Sequence, residues 1–370
     1  MNDISVLLPL PATNDDLDAM LAPTAMGNGG QLLPLDIYQN AGEVPYDQLR
    51  VVAFRFDPCF GQLGTITDPS TCQNQLRLVF QPIDTDTVDS ASPFFVEDAA
   101  VHAFYSITRD QLLDAIDEVT AARESDVGDD DLGPLAPHPV VVREGHTGVL
   151  AQAFEAMILK YAGAANLVRF TTLEEEVADA GGSNAPIIGA GDFWQLQSFQ
   201  VAAGAATPLQ IPTLPMPTTS MTISAATEPL EATGEPVTSS SDNLMLLADF
   251  MQASAAMPAA RESAFDAALR VLNPADNSPN TIDCASCHLA QPAIQLVGAQ
   301  LGMNPAGNSN AFVASPSIPA ADLAQTTQLV GSDGVLNIHA FSYRNANPMI
   351  NQRVIDETAA NLAYLATLAR

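Results

Sequence analysis

The sequence predicts an α+β protein, in which an N-terminal antiparallel-sheet domain with a few helices (residues 1–202) precedes a mainly α-helical domain (residues 243–370). Three observations lead to this prediction. Strand patterns outnumber helical ones in the first part, a stretch rich in Pro, Thr and Ser (residues 203–242) reads as a linker, and helical spacing marks the last part. With 370 residues, 47% of them hydrophobic, the chain can bury more than one core.

Six segments of the first part have the composition of strands. Apolar and polar residues alternate most clearly in the centres of 49–56 and 75–82. The other four strand candidates are 100–107, 139–143, 167–172 and 194–202. Helices are predicted over 15–21, 109–122, 147–162, 244–255, 261–272 and 351–368.

The most distinctive feature is the run Cys284-Ala285-Ser286-Cys287-His288, the C-x-x-C-H pattern of covalent haem attachment. Two thiols at this spacing can each form a thioether with a haem vinyl group, and the adjacent imidazole then becomes an axial ligand of the iron. A thioredoxin-like redox pair is one alternative, but no βαβ pattern surrounds Cys284. A zinc site or a disulfide is another, and only two further cysteines exist, far upstream. We therefore favour one covalent haem c.

The C-terminal third, about residues 243–370, resembles the small monohaem, class I-like cytochrome c family, in which C-x-x-C-H precedes a loop-rich middle, a distal ligand and a closing helix. Residues 351–368 fit that closing helix, and Leu362-Ala363-Tyr364-Leu365 is similar to the family's aromatic-bearing stretch. The resemblance implies a cytochrome c-like haem domain and single-electron transfer.

The resemblance also implies a distal axial ligand opposite His288, and the sequence offers Met349, His339 and Met303. Met349 is favoured because it follows Pro348 and immediately precedes the closing helix, where the family places its distal methionine. His339 would give a bis-histidine site of lower potential, and an open iron site is a further alternative.

Covalent attachment takes place outside the cytoplasm in this family, so we expect a periplasmic or extracellular protein. No export signal is recognisable at the start of the sequence, and no apolar stretch is long enough to span a bilayer.

Cys59 and Cys72 flank a turn-rich stretch between two predicted strands. A disulfide there would stabilise the fold by about 3 kcal/mol, and two unpaired buried cysteines are the alternative.

The formal net charge is −30, with twelve arginines and one lysine. This charge argues against nucleic acid and anionic membranes as partners, and it favours a basic redox partner or a salty medium.

The acidic stretch 124–131 has oxygen ligands suited to calcium but lacks the EF-hand pattern. We therefore interpret it as a solvated loop, with calcium as the alternative. Structural roles are assigned to His102, His138 and His146.

These residues predict an exported electron carrier and not an enzyme. Tyr343 and Arg344 are candidates for contact with a haem propionate. A peroxidase-like haem enzyme, with His339 as its acid–base group over an open iron site, is one alternative. A binding or structural protein with an accessory haem is the other.

The excess of carboxylates predicts that salt stabilises the protein. Raising the ionic strength from about 0.01 M to about 1 M shortens the Debye length from about 30 Å to about 3 Å and screens their mutual repulsion. We expect the thermal unfolding midpoint at pH 7 to rise by several degrees over this range. A constant or falling midpoint would show that the acidic surface carries no net repulsion.

Overall fold

The structure is a computed structural model that describes residues 2–39, 44–59, 73–84, 94–126, 135–176, 193–209, 220–224, 258–277, 282, 284–313 and 337–368. Its strands are β1 (Ser5–Leu7), β2 (Met26–Gly27), β3 (Gly30–Gln31), β4 (Leu49–Asp57), β5 (Asn74–Asp84), β6 (Phe95–Val96), β7 (Ala99–Ile107), β8 (Leu167–Glu176), β9 (Phe193–Ala202), β10 (Ala205–Pro208), β11 (Ser220–Ser224), β12 (Phe341–Arg344) and β13 (Asn347–Ile350). Its α-helices are α1 (Asn14–Ala19), α2 (Leu35–Tyr38), α3 (Arg109–Asp126), α4 (Pro139–Glu144), α5 (Val149–Tyr161), α6 (Pro258–Leu272), α7 (Cys284–Leu301) and α8 (Gln352–Thr367).

A nine-stranded antiparallel sheet organises the described part of the chain. Its main path is β1-β4-β5-β7-β8-β9-β10, and β6 pairs with β5 while β11 pairs with β9. Five predicted strands are confirmed as β4, β5, β7, β8 and β9, and the predicted helices 15–21, 109–122, 147–162, 261–272 and 351–368 are confirmed as α1, α3, α5, α6 and α8. The antiparallel sheet predicted for the first part of the chain is therefore present.

The predicted strand 139–143 is wrong, because these residues form helix α4. Pro139 occupies the first helical position, where its missing N–H is not needed. Gly145, with a φ of 73°, ends the helix in a conformation that favours glycine. These two end signals outweigh the strand preference of the three valines between them.

The pleat of the sheet directs alternate side chains to two different layers. Along β7, Val101, Ala103 and Tyr105 belong to the core that includes residues of α3 and α5. His102 and Phe104 point to the opposite face, toward the C-terminal part of the chain. Both faces of the sheet are therefore covered.

The prediction of a mainly α-helical, cytochrome c-like domain over residues 243–370 is wrong. After α6 and α7 the chain forms the hairpin β12–β13, and only then the closing helix α8. Tyr343 and Val354 share a core with Val79 of the sheet, and Phe265 of α6 shares another with Trp194 of β9. The second face of the sheet also carries large apolar side chains, including Val79 and Trp194, which need a cover, so these segments pack on it and not around a core of their own.

Several predictions fall wholly or partly outside the described residues. Within the predicted linker 203–242, β10 and β11 extend the sheet beside β9. Residues 210–219 and 225–242 of the linker are not described, and neither is the predicted helix 244–255. Cys59 is disulfide-bonded, but Cys72 is not described, so their pairing stays a prediction. The acidic stretch 124–131 begins in α3 and continues beyond the described residues.

Among the helices that are described, none is long and apolar enough to cross a membrane.

A buried ion network joins α8 to the sheet. Arg55 on β4, with 2% of its side chain exposed, donates to Asp57 Oδ1 at 2.7 Å and also pairs with Glu357 on α8. Arg353 donates to the other carboxylate oxygen of Glu357 at 2.7 Å, and Arg77 on β5 lies 2.9 Å from Asp57 Oδ2. Burial raises the pKa of Glu357, but the three guanidinium groups outweigh it and hold that pKa well below its usual range. Glu357 is therefore ionised at neutral pH.

We expect Glu357→Ala to lower the free energy of unfolding by about 3 to 5 kcal/mol, because it leaves buried guanidinium groups without their partner. Urea-induced unfolding at pH 7 measures this change. Glu118→Ala is the matched control, since Glu118 pairs with exposed Lys160 on the protein surface, and it should change the stability little. Similar small losses in both variants would show that the network does not hold α8 on the sheet.

Candidate functional site

The attachment motif occupies the first turns of α7. Cys284, Cys287 and His288 are separated by three and four residues, so they lie on one face of the helix. The intervening Ala285 and Ser286 are fully buried. The helix therefore presents both thiols and the imidazole to the same space.

That space is a cavity with a mostly apolar wall, and part of it is open to solvent. Apolar walls with a few convergent polar groups are usual for small-molecule and cofactor pockets. The floor of this cavity is the second face of the sheet, formed by β4, β5, β7 and β8, and its other walls include the starts of α7, β12 and α8. The site is therefore built between the sheet and the C-terminal segments.

The register of the sheet orders the floor. Arg55, Arg77 and Phe104 are successive cross-strand partners, and the Arg77 guanidinium lies over the Phe104 ring, 4.8 Å from its centroid. In the neighbouring row, His102 on β7 pairs with Thr171 on β8. All five side chains line the cavity.

His288 has a defined orientation. Its Nδ1 lies 2.6 Å from the Ile338 carbonyl oxygen. A carbonyl can only accept, so Nδ1 carries the proton and Nε2 of the neutral ring is left as an acceptor. Burial lowers the pKa of His288, with partial opposition from this hydrogen bond. The imidazole is thus held in the form that binds a metal through Nε2.

Neither motif cysteine takes part in a disulfide. Cys284 Sγ lies 3.4 Å from Ser198 Oγ on β9, and burial raises the pKa of Cys287 to about 11. Cys287 is therefore a neutral thiol at physiological pH. The described residues contain no group of three or more His, Cys, Asp or Glu side chains arranged to hold a metal ion.

Cationic groups are concentrated at this cavity, although the chain carries a net charge of −30. The charged side chains in its wall, apart from histidine, are Arg55, Arg77, Arg353 and Glu357. Asn351, the cap of α8, also lines the cavity; its Oδ1 caps a backbone N–H, whereas its buried Nδ2 has no hydrogen-bond partner among the described residues. Unpaired donors beside guanidinium groups suit a ligand that carries carboxylates.

This donor set fits haem c. Two thiols outside any disulfide and a neutral imidazole could hold the macrocycle and its iron, the apolar wall suits the ring, and the cationic groups suit its two propionates. The fit depends on residues from both ends of the chain.

The structure does not bring the three predicted distal candidates to the cavity. Met349 on β13 is 1% exposed, and its sulfur accepts a hydrogen bond from Asn337 Nδ2 at 3.2 Å. His339 Nε2 lies 3.3 Å from Asp98 Oδ1, and Met303 packs against the core between α6 and α7. None of the three lines the cavity, so their placement does not support Met349 as the distal ligand.

The predicted propionate contacts are also elsewhere. The Tyr343 hydroxyl donates to the Leu8 carbonyl at 2.7 Å, and Arg344 Nε lies 4.0 Å from Asp98 Oδ2. Neither residue lines the cavity. Arg353 on α8 and the sheet arginines lie at its wall instead.

The sequence assigns His102 a structural role, but the structure places it in the cavity. Its ring centroid lies 6.2 Å from that of His288. Burial lowers the pKa of His102 most, and His288 and the nearby Arg77 and Arg55 lower it further, so the ring is neutral. A signal for this position exists in the sequence, because a polar residue between apolar ones on a strand points away from their core.

The other two histidines contact the protein itself. His138 Nε2 lies 3.1 Å from Asp3 Oδ1, and His146 Nε2 lies 2.9 Å from the Pro9 carbonyl. Neither lines the cavity.

No family model matches this chain. Comparisons with curated proteins and with solved structures find no match either. The assignment of the site therefore rests on its residues and their geometry.

Asp356 lies beside Glu357 on α8 and has an unusual environment for a carboxyl. It is 5% exposed and accepts a hydrogen bond from Gln352 Nε2 at 2.8 Å. Burial raises its pKa to about 7, against the opposing effects of Gln352 and Arg353. The folded state therefore favours the protonated form.

Because the pKa of Asp356 is higher in the folded than in the unfolded state, its contribution to stability is lost as the pH rises from 3.8 to about 7. We expect Asp356→Asn to remove this loss and to stabilise the protein above pH 7, by at most about 4 kcal/mol. Urea titrations from pH 4 to pH 8 measure the effect. Asp18→Asn, the same change at an exposed position, is the control, and identical pH slopes in both variants would contradict the prediction.

Proposed function

We propose that this protein is a monohaem c-type cytochrome that carries single electrons between redox partners. The observation that carries the proposal is that Cys284, Cys287 and the oriented His288 line one mostly apolar cavity with a cationic wall. In this proposal the haem lies between α7 and the sheet, and not inside a separate helical domain.

Each group of residues has a distinct task. Cys284 and Cys287 would hold the macrocycle through two thioethers, and His288 would bind the iron through Nε2. Asn351 Nδ2, beside the positive charge of Arg353 and the sheet arginines, would face a propionate. When bound, haem supplies an iron that alternates between the ferric and ferrous states.

The surroundings of His288 tune this chemistry. The hydrogen bond from its Nδ1 to the Ile338 carbonyl fixes the ring and increases the basicity of Nε2. Apolar groups such as Val79, Phe104 and Phe341 limit the access of water to the site. Burial and ligand basicity are two of the means by which a protein sets a haem potential.

We further propose that the protein matures outside the cytoplasm, where haem of this type is attached, and exchanges electrons with a basic partner protein. The net charge of −30 supports such a partner, because opposite charges steer the encounter of two proteins. The same charge makes nucleic acid an unfavourable partner.

The enzyme alternative has less support. A peroxidase-like mechanism needs an acid–base group above an open iron site, and His339 was the candidate for that role. His339 is buried beside Asp98 and Asn337 and does not line the cavity. Of the five histidines in the chain, only His102 and His288 do so.

Covalent attachment is the direct test. We expect the chain, expressed in a compartment that attaches c-type haem, to gain the mass of one haem that remains bound after denaturation. The double variant Cys284→Ala/Cys287→Ala should lose this adduct completely, because no thiol remains to form a thioether. Intact-protein mass spectrometry and haem staining of denaturing gels provide the measurement.

Ser286→Ala is the matched control, since it changes the same helical turn and leaves both thiols and the imidazole in place. It should retain the haem. An unmutated chain that folds under these conditions but carries no covalent haem would rule out the proposed function.

A further inference from the structure

We propose that His102, on the central strand β7, is the second axial ligand, so that the iron has a bis-histidine site made by the sheet and by α7. This inference rests on the proposed function and extends it to the sixth coordination position. The decisive observation is that His102 and His288 line the same cavity, with ring centroids 6.2 Å apart.

That separation suits a shared metal ion. A metal bound to one nitrogen of each of two opposed imidazoles holds their ring centres roughly 6 Å apart, because each metal–nitrogen bond is about 2 Å long. The two rings are not stacked, since their planes are inclined by 41°. The separation of the two ring centres therefore matches that of two imidazoles bound to one ion.

His102 also has the availability that a ligand needs. Among the described residues, none forms a hydrogen bond with its ring nitrogens, and the side chain is partly exposed toward the cavity. A partly exposed imidazole that lines a cavity is accessible to a metal ion bound there.

The backbone holds His102 firmly. Strand β7 pairs along its length with β5 and β8, so Val79 and Thr171 flank His102 on either side. A ligand on a central strand is positioned more accurately than one on a loop. The other candidates, Met349 and His339, hydrogen-bond with Asn337 outside the cavity.

Electron paramagnetic resonance and near-infrared magnetic circular dichroism of the ferric, haem-loaded chain test this ligation directly, without a variant. We expect the low-spin signature of two imidazoles. A methionine–iron band, or a high-spin ferric signal that responds to peroxide or cyanide, would overturn the inference and favour a His/Met or an open site, respectively.

Two variants of His102 sharpen the test. His102→Ala should convert the ferric haem to the high-spin form, and added imidazole should restore the low-spin spectrum. His102→Met should replace a nitrogen by a thioether and raise the reduction potential. Unchanged spectra in both variants, with haem still attached, would overturn the inference.

Met349→Leu, Met303→Leu and His339→Gln are the matched controls and should leave the spin state unchanged. A change of spin state in one of them alone would assign the ligand to that residue and overturn the role of His102. Attached haem with a methionine–iron band, or with low-spin spectra that the His102 variants leave unchanged, refutes the axial assignment and leaves the proposed function intact. Attached haem with a high-spin ferric signal that responds to peroxide refutes the axial assignment and favours the peroxidase-like alternative. A folded chain without covalent haem refutes both the axial assignment and the proposed function.

Discussion

Arg55 is buried on the second face of the sheet, and a guanidinium in that position must be paired with carboxylates. Asp57, on the same strand, provides one partner. Glu357 provides the other from 302 residues further along the chain, so the pairing is complete only when the C-terminal segments cover the sheet. Arg353 then shares Glu357, and the cavity is the space that remains between this network, the floor of the sheet and α7.

Side chains alternate along the strands between a face that packs in a core and a face that lines the cavity. One face of β7 contributes Val101 and Ala103 to a core with α3 and α5, and the other contributes His102 and Phe104 to the cavity wall. A neutral imidazole, two arginines and apolar side chains thus share one face of a sheet whose opposite face is packed in a separate core. The site gains accuracy because β5 and β7, in the middle of its floor, each pair with a strand on both sides.

Local patterns in the sequence identify the five long strands β4, β5, β7, β8 and β9, five of the eight described helices and the attachment motif, because these depend on residues close together in the chain. The haem-attachment spacing from Cys284 to His288 is of this kind. The packing of the C-terminal segments on the sheet does not depend on such local patterns. The period of an amphipathic helix such as α8 does not say which surface its apolar face meets. The placement of Met349 and His102 depends on the same long-range packing. Resemblance to the family favours Met349 as the distal ligand, whereas the structure places His102, and not Met349, in the cavity wall.

The cavity is built from segments that are distant in the sequence, so the C-terminal segments alone do not form it. A fragment limited to residues 243–370 would keep the attachment motif and Arg353, yet it would lose the floor supplied by β4, β5, β7 and β8. Such a fragment would not hold the proposed haem by itself, because the floor of its pocket belongs to another part of the chain. Any evolutionary exchange or fusion that preserves the site must therefore carry the sheet together with the motif.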